Sequence, residues 1–268
     1  MAANTTKTIR LKEIYDLCND ISPFDTQESW DRSGLNLGSF DDEIFHIVVC
    51  LELTLDIAKN LQPHTLVIAH HPLIFTPLTQ IHTQSYPSNL IGILLRKNCA
   101  LISLHTNFDK SHLNAYLTHK ILQWKHFKAQ DFFMYGEIEP TSLKSLALQV
   151  GKKLQAKAVS YTQGDDIYGD RQKSNSLESI KEVYVVCGSG CSLLSLIPQK
   201  PQTCLITGDI KHHDAMIAKS NGFSLIDMGH YESEKYFVEI FESILQNAGY
   251  NAIIADCKNP FYFCSIID

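Results

Sequence analysis

Apolar side chains along this chain fall into short continuous runs separated by stretches with helical spacing. Leu11, Ile14, Leu17 and Cys18 recur at intervals of three and four, which predicts a helix over Leu11 to Asp20 that Ser22-Pro23 ends. Ile44 to Leu53 reads as a strand, and Thr54 as the N-cap of a helix reaching Leu61. Leu66-Val-Ile-Ala69 has the length and β-branched content of a fully buried strand. Ser88 to Lys97 then reads as a helix and Ala100-Leu-Ile-Ser-Leu104 as a further strand. Alternation of strand and helix predicts a parallel sheet covered on both faces.

The later chain repeats this logic after an interruption. Leu113 to Leu122 predicts a helix, Lys125 to Gly136 turns aromatic and mixed, and Pro140-Thr141 is placed to cap a helix running to about Leu154. Gln163 to Ser176 lacks apolar periodicity and reads as a mobile loop on a second domain. Strands are then expected at Val183 to Cys187, Cys204 to Asp209 and Phe223 to Met228, with helical segments at Leu193 to Ile197 and Lys211 to Asn221 between them. A helix over Glu232 to Asn247 and a last strand at Ala252 to Ala255 complete the pattern. Residues 44–109 and 183–234 share one order of elements, which reads as a pseudo-duplication. The expected fold is α/β: two interlinked α/β domains with pseudo-duplicated strand-helix units, residues 1–126 plus 235–268 and residues 127–234, with a metal site at the strand ends between them.

Composition narrows the function classes. A chain of 268 residues suits one large or two modest domains, and 44% hydrophobic content is ordinary for a globular protein. A formal charge of −6 argues against a nucleic-acid footprint. The start of the chain lacks the apolar core of a signal peptide, and Leu90-Ile-Gly-Ile-Leu-Leu95 is too short to span a bilayer, so a cytoplasmic protein with no membrane partner is expected. Eight cysteines contain no C-x-x-C and several lie inside apolar runs, which reads as buried thiols in a reducing compartment. Cys187-Gly-Ser-Gly-Cys191 lacks the nearby second cysteine pair that a thiolate metal site would need.

Candidate chemistry collects where strands end. Leu66-Val-Ile-Ala69 runs directly into His70-His71-Pro72, and the proline forces the preceding residue out of the helical region, so one turn can present both imidazoles. Ligands of open α/β sheets gather outside the carboxyl ends of the strands. Two other strands run into His105-x-x-x-Asp109 and His230-x-x-x-Glu234, one in each half of the chain. Imidazole nitrogens and carboxylate oxygens suit zinc, manganese or iron. These are more donors than one tetrahedral ion needs, and a pair of ions sharing a carboxylate uses them better. Glu28 to Gly38 has no regular period and reads either as a surface loop anchored by a buried Trp30 or as part of the site mouth.

Several motifs together resemble one family, the Ngg-interacting-factor-three-like proteins, also named the GTP cyclohydrolase I type 2 family. They are Ser29-Trp-Asp-x-Ser-Gly-Leu35, Ala69-His-His-Pro-Leu-Ile-Phe75, His105-x-x-x-Asp109, Ile206-Thr-Gly-Asp-Ile-Lys-His-His-Asp-Ala215 and Gly229-His-Tyr-x-Ser-Glu234. The resemblance implies a toroidal homohexamer with two divalent cations per chain, whether zinc, iron or manganese. It places His70, His71, Asp109, His230 and Glu234 on the family's metal ligands, with Glu234 bridging and His105 beside them. The implied reaction adds water at C8 of the guanine ring of GTP, releases formate and recloses the remainder as 7,8-dihydroneopterin triphosphate. Such a reaction needs a proton shuttle, for which His105, His212 and His213 are the candidates. Another metal-dependent hydrolase such as a phosphoesterase, or a metal-stabilised hexameric scaffold, are the alternative readings. Arg32, Glu52 and Asp209 depart from the family's usual Asn, Asp and Glu, which leaves the ligands intact but puts substrate contacts in question.

Overall fold

The computed structural model describes residues 8–165, 179–198, 200–255 and 257–264. The polar stretch read as a mobile loop lies largely outside them. The architecture is mixed α/β, and the chain divides into two compact units, residues 1–111 with 236–258 and residues 112–235 with 259–268.

In the first unit the described residues form a five-stranded sheet in the spatial order Ile253–Ile254, His46–Cys50, Thr65–Ala69, Ala100–Ser103, Gly34–Leu37. All neighbours run parallel except the last pair. Thr65–Ala69 is buried at every position, as a central parallel strand covered on both faces must be. Val67 and Ala69 face a layer of Ile57, Ala58, Leu90, Ile91 and Leu94 from the helices Leu55–Asn60 and Ser88–Arg96. The helix Phe237–Asn247 lies against the His46–Cys50 strand. Thr54 caps the first of these helices as expected, its hydroxyl accepting from the backbone N–H of Ile57 at 3.2 Å.

The second unit repeats the plan with a different set of edges. Its described strands lie in the order Lys128–Gln130, Phe133–Ser142, Ser179–Val185, Thr203–Thr207, Ser224–Asp227, Ser160–Thr162. Ser179–Val185, Thr203–Thr207 and Ser224–Asp227 are parallel, and the other pairings are antiparallel. Each unit therefore holds three successive parallel strands with an antiparallel strand beside the third. This is the pseudo-duplication that the order of elements implied.

Some elements differ from the sequence expectation. Gly34–Leu37 is a short strand, too brief to show a period, and Trp30 before it is 51% exposed instead of a buried anchor. Ser142, with its hydroxyl accepting from Ser145 N–H at 3.2 Å, caps the next helix in place of Pro140-Thr141. Pro140 belongs to the preceding strand at a register shift, where a residue with no N–H to donate is tolerated. The expected helix from Glu232 to Asn247 is two helices, His230–Glu234 and Phe237–Asn247. Between them Lys235 donates to the Leu154 carbonyl at 2.8 Å, whereas Phe237 stacks on Phe241 in the first unit's core. The two segments serve different cores, so one straight helix cannot satisfy both. Helical geometry also begins before Leu113, at Thr106, and contains wide π-type turns at Asp109–Leu113 and Leu117–Ile121.

Candidate metal centre

The first unit places its candidate ligands at the carboxyl ends of adjacent parallel strands. His70 and His71 follow Thr65–Ala69, and both backbone N–H groups donate to the Leu51 carbonyl at 3.1 Å, so one turn holds both rings. His70 is fully buried and its Nδ1 donates to the Leu104 carbonyl at 2.8 Å. A carbonyl can only accept, so this bond fixes the tautomer and leaves Nε2 as the lone-pair nitrogen. That Nε2 lies 3.4 Å from Asp109 Oδ1. His71 Nδ1 lies 2.9 Å from Glu52 Oε1. His105 follows Ala100–Ser103, and its Nδ1 lies 2.8 Å from Asp31 Oδ1. Ligand atoms of His70, His71 and His105 all sit within 4.8 Å of one another.

In the second unit His230 and Glu234 share one face of a short helix, as residues four apart do. His230 Nδ1 lies 2.7 Å from Asp209 Oδ2, and Nε2 lies 2.8 Å from Glu234 Oε2. Close packing shapes this corner. A side chain at Gly188, whose φ is +61°, would meet Glu234 Oε1 at 2.2 Å, and one at Gly208 would meet the His230 backbone nitrogen at 2.6 Å. The Gly-rich turn after Val185 thus makes room for a carboxylate. No metal-capable cluster among the described residues includes Cys187 or Cys191.

His212 and His213 open the helix His212–Ser220, where both are exposed with ring centroids 5.7 Å apart. Neither enters a metal-capable cluster among the described residues.

Four imidazoles thus have Nδ1 committed to an oxygen acceptor, the arrangement by which outer groups orient metal-binding histidines. With neutral imidazole nitrogens and carboxylate oxygens as donors, the residues fit a divalent cation. Sequence reasoning missed the acceptors. In the sequence Glu52 stands out as a departure from a family pattern, Asp209 as such a departure and as a carboxylate at a strand end, and Asp31 as part of a motif, none of them as an imidazole's partner. A signal did exist: each of Glu52 and Asp209 stands two residues past the end of the strand neighbouring the one that carries its histidine. Asp209 also adopts a left-handed φ of 52°, a conformation Asp tolerates better than most residues.

Asp31 is the most elaborately held of these carboxylates. Its Oδ2 accepts from Thr106 N–H at 3.0 Å and from Ser33 Oγ at 3.1 Å, and its Oδ1 from Arg32 N–H at 2.7 Å. Burial raises its pKa, but the hydrogen bond and charge of His105, with the Thr106 and Arg32 bonds, outweigh burial and hold the carboxyl well below the usual carboxylate range. Exposed aromatic rings complete the surroundings: Trp30 and Phe75 lie 5.8 Å apart, and each centroid is 6.1 Å from that of His105.

Fold and donor groups together define a mixed α/β protein with imidazole and carboxylate clusters able to hold a metal. The model of the Duf34/NIF3 (NGG1p interacting factor 3) family matches residues 9–260, and the chain belongs to that family. It is 42% identical over 250 residues to a Helicobacter pylori protein named GTP cyclohydrolase 1 type 2, covering 93% of this chain and 97% of that one. A Campylobacter jejuni protein named GTP cyclohydrolase 1 type 2 homolog is 38% identical over 255 residues, covering 95% and 100%. A Staphylococcus aureus hypothetical protein of solved structure superposes with a TM-score of 0.78 at 22% identity, covering 96% of this chain and 100% of that one. That likeness bears on fold alone.

The Asp31 carboxyl titrates lower in the folded chain than its unfolded value of about 4, so its contribution is fully present above that value and is lost as pH falls towards the folded value. Asp31→Asn is expected to cost about 1.5–3 kcal/mol at neutral pH, the range for a hydrogen bond to a charged group. The gap should narrow when urea unfolding is repeated at descending pH below about 5. A gap that stays constant into acid would overturn this account of Asp31.

Proposed function

We propose that this protein is a dinuclear metal-dependent hydrolase that converts GTP and water to formate and 7,8-dihydroneopterin triphosphate. The observation that carries the reading is the set of imidazoles with Nδ1 engaged, which together with buried carboxylates matches what divalent-cation catalysis demands of a protein. The names of the Helicobacter pylori and Campylobacter jejuni relatives supply the substrate. His70, His71, Asp109, His230 and Glu234 would hold two divalent cations of zinc, iron or manganese type, with Glu234 shared between them. Bound there, the cations would supply a Lewis acid and lower the pKa of water.

The chain's own residues then have separable tasks. Leu104, Glu52 and Asp209 keep the ligand imidazoles in the correct tautomer. His105 takes up and releases the proton at Nε2 while Asp31 steadies Nδ1, the division of labour of a histidine positioned by a carboxylate. His212 and His213, exposed at a helix start, are the alternative proton carriers. No helix among the described residues is long and apolar enough to cross a membrane. The site of action we propose is the cytoplasm, on a small-molecule substrate. The assembly we propose is a homohexamer. Phe261 and Tyr262, 70% and 91% exposed, offer apolar surface for burial between subunits.

Incubation of metal-loaded protein with GTP should yield formate and a fluorescent pterin in equal amounts. Released phosphate with intact guanine would instead indicate a phosphoesterase, and no turnover would indicate a scaffold. For the ligands, Glu234→Ala should lower metal content per chain further than Asp109→Ala, because a shared carboxylate serves both ions. Equal losses in elemental analysis would remove Glu234 from the shared position. Light scattering of metal-loaded protein at several concentrations should give a mass near six chains, and a stable mass of one or two chains would falsify the ring.

A further inference from the structure

The strand Ile253–Ile254 runs parallel to His46–Cys50, with Ile253 beside Val48, Ile254 beside Val49, and Ala255 N–H donating to the Val49 carbonyl at 2.9 Å. This register carries the chain past the end of His46–Cys50 and brings two thiols 207 positions apart in sequence into one packed layer: Cys50, fully buried, and Cys257, half-buried. Cys257 packs against the apolar layer that contains Cys50, and its Sγ also lies 3.3 Å from the Glu52 carbonyl oxygen. Glu52 is the residue whose carboxylate steadies His71 Nδ1. Neither cysteine belongs to the metal-capable clusters of the described residues.

We propose that Cys50 and Cys257 are a reversible dithiol–disulfide couple, a site of oxidation by hydroperoxides built into the edge of the first unit's sheet. A redox-sensing cysteine needs thiolate character, access to oxidant and a second thiol poised beside it. Cys257 has all three. The hydrogen bond from Cys50 is the largest influence on its acidity. With help from backbone groups of Glu52 and Leu51, it overcomes the opposing effect of burial and brings the thiol down to about 7. Half-exposure admits a small peroxide, and the buried Cys50 needs no access of its own because its reaction partner packs against the same layer.

The chemistry balances with hydrogen peroxide as the oxidant. The Cys257 thiolate attacks one peroxide oxygen, the O–O bond breaks, and the departing hydroxide takes up the proton released when the thiol ionised; Cys257 becomes a sulfenic acid and one water leaves. The Cys50 sulfur then attacks the sulfenic sulfur, the S–O bond breaks, and the hydroxyl departs with the Cys50 proton as a second water. Both sulfurs are oxidised and both peroxide oxygens end as water. Reduction by an external dithiol reverses the change by exchange. Transient bridges of this kind are the form in which disulfides occur in a reducing compartment. The bridge would tether the segment after Ile254 to the turn that carries Glu52.

The test uses the full-length reduced protein, treated with hydrogen peroxide and mapped by mass spectrometry without reduction. Expected is one cross-linked peptide pair containing Cys50 and Cys257, two hydrogens lighter than its parts. Two thiols per chain should be lost and then recovered with dithiothreitol. Cys257→Ser should abolish the pair, and Cys50→Ala should leave Cys257 as a sulfenic acid trapped by dimedone. The wild-type map needs no variant to fold, so it decides alone. Cys257 driven to sulfinic acid with Cys50 untouched, Cys257 bridged to another cysteine, or both thiols surviving while the exposed Cys264 oxidises would each overturn the couple.

Discussion

An imidazole can offer a lone pair from either ring nitrogen, and which one it offers is fixed by what the other nitrogen donates to. At His70 the choice is made by a backbone carbonyl, that of Leu104, in a place with no solvent to compete. Glu52, Asp31 and Asp209 make the same choice for His71, His105 and His230 with carboxylates. Everything chemical about the site depends on those four contacts. Without them the rings could rotate and change tautomer, and a preorganised set of donors would become a cluster of polar side chains near a strand end.

The acceptors are in place because of how parallel sheets are built. Adjacent parallel strands end side by side, so a residue just past one strand can reach a residue just past the next. Glu52 and Asp209 each extend two residues beyond a strand and meet a histidine carried by its neighbour. The same device occurs in both units, which gives the pseudo-duplication a physical meaning: what is repeated is a way of holding an imidazole by a carboxylate. The contact requires only a carboxylate oxygen within reach, which Glu52 and Asp209 both supply.

Burial and openness are divided with some care around these contacts. His70 and Asp109 are enclosed, whereas His71, His105 and His230 keep partial access, with the rings of Trp30 and Phe75 standing exposed near His105. A donor set sealed on all sides could hold an ion but could not admit a substrate, and a fully open one would lose the low dielectric that strengthens charge interactions. Cys257 meets the backbone carbonyl of Glu52, whose carboxylate holds His71, so the proposed thiol couple and the orientation of His71 share one short backbone segment.

Much of this was legible in the sequence. Apolar runs ending abruptly in His70-His71 and His105, the spacing of His230 and Glu234, and the shared order of elements in 44–109 and 183–234 required only local pattern, because strand burial and helical spacing are written in consecutive residues. The motifs carried the family. What the sequence could not convey was contact between residues distant along the chain. Trp30, read either as a buried anchor or as part of the site mouth, stands half exposed, the helix after His230 breaks because Lys235 and Phe237 answer to different cores, and Cys50 and Cys257 share a layer only through strand pairing. Asp31, Glu52 and Asp209 acquire their roles in the same way. A carboxylate's function is set by the imidazole it touches, and that neighbour is chosen by the order in which strands assemble in the sheet.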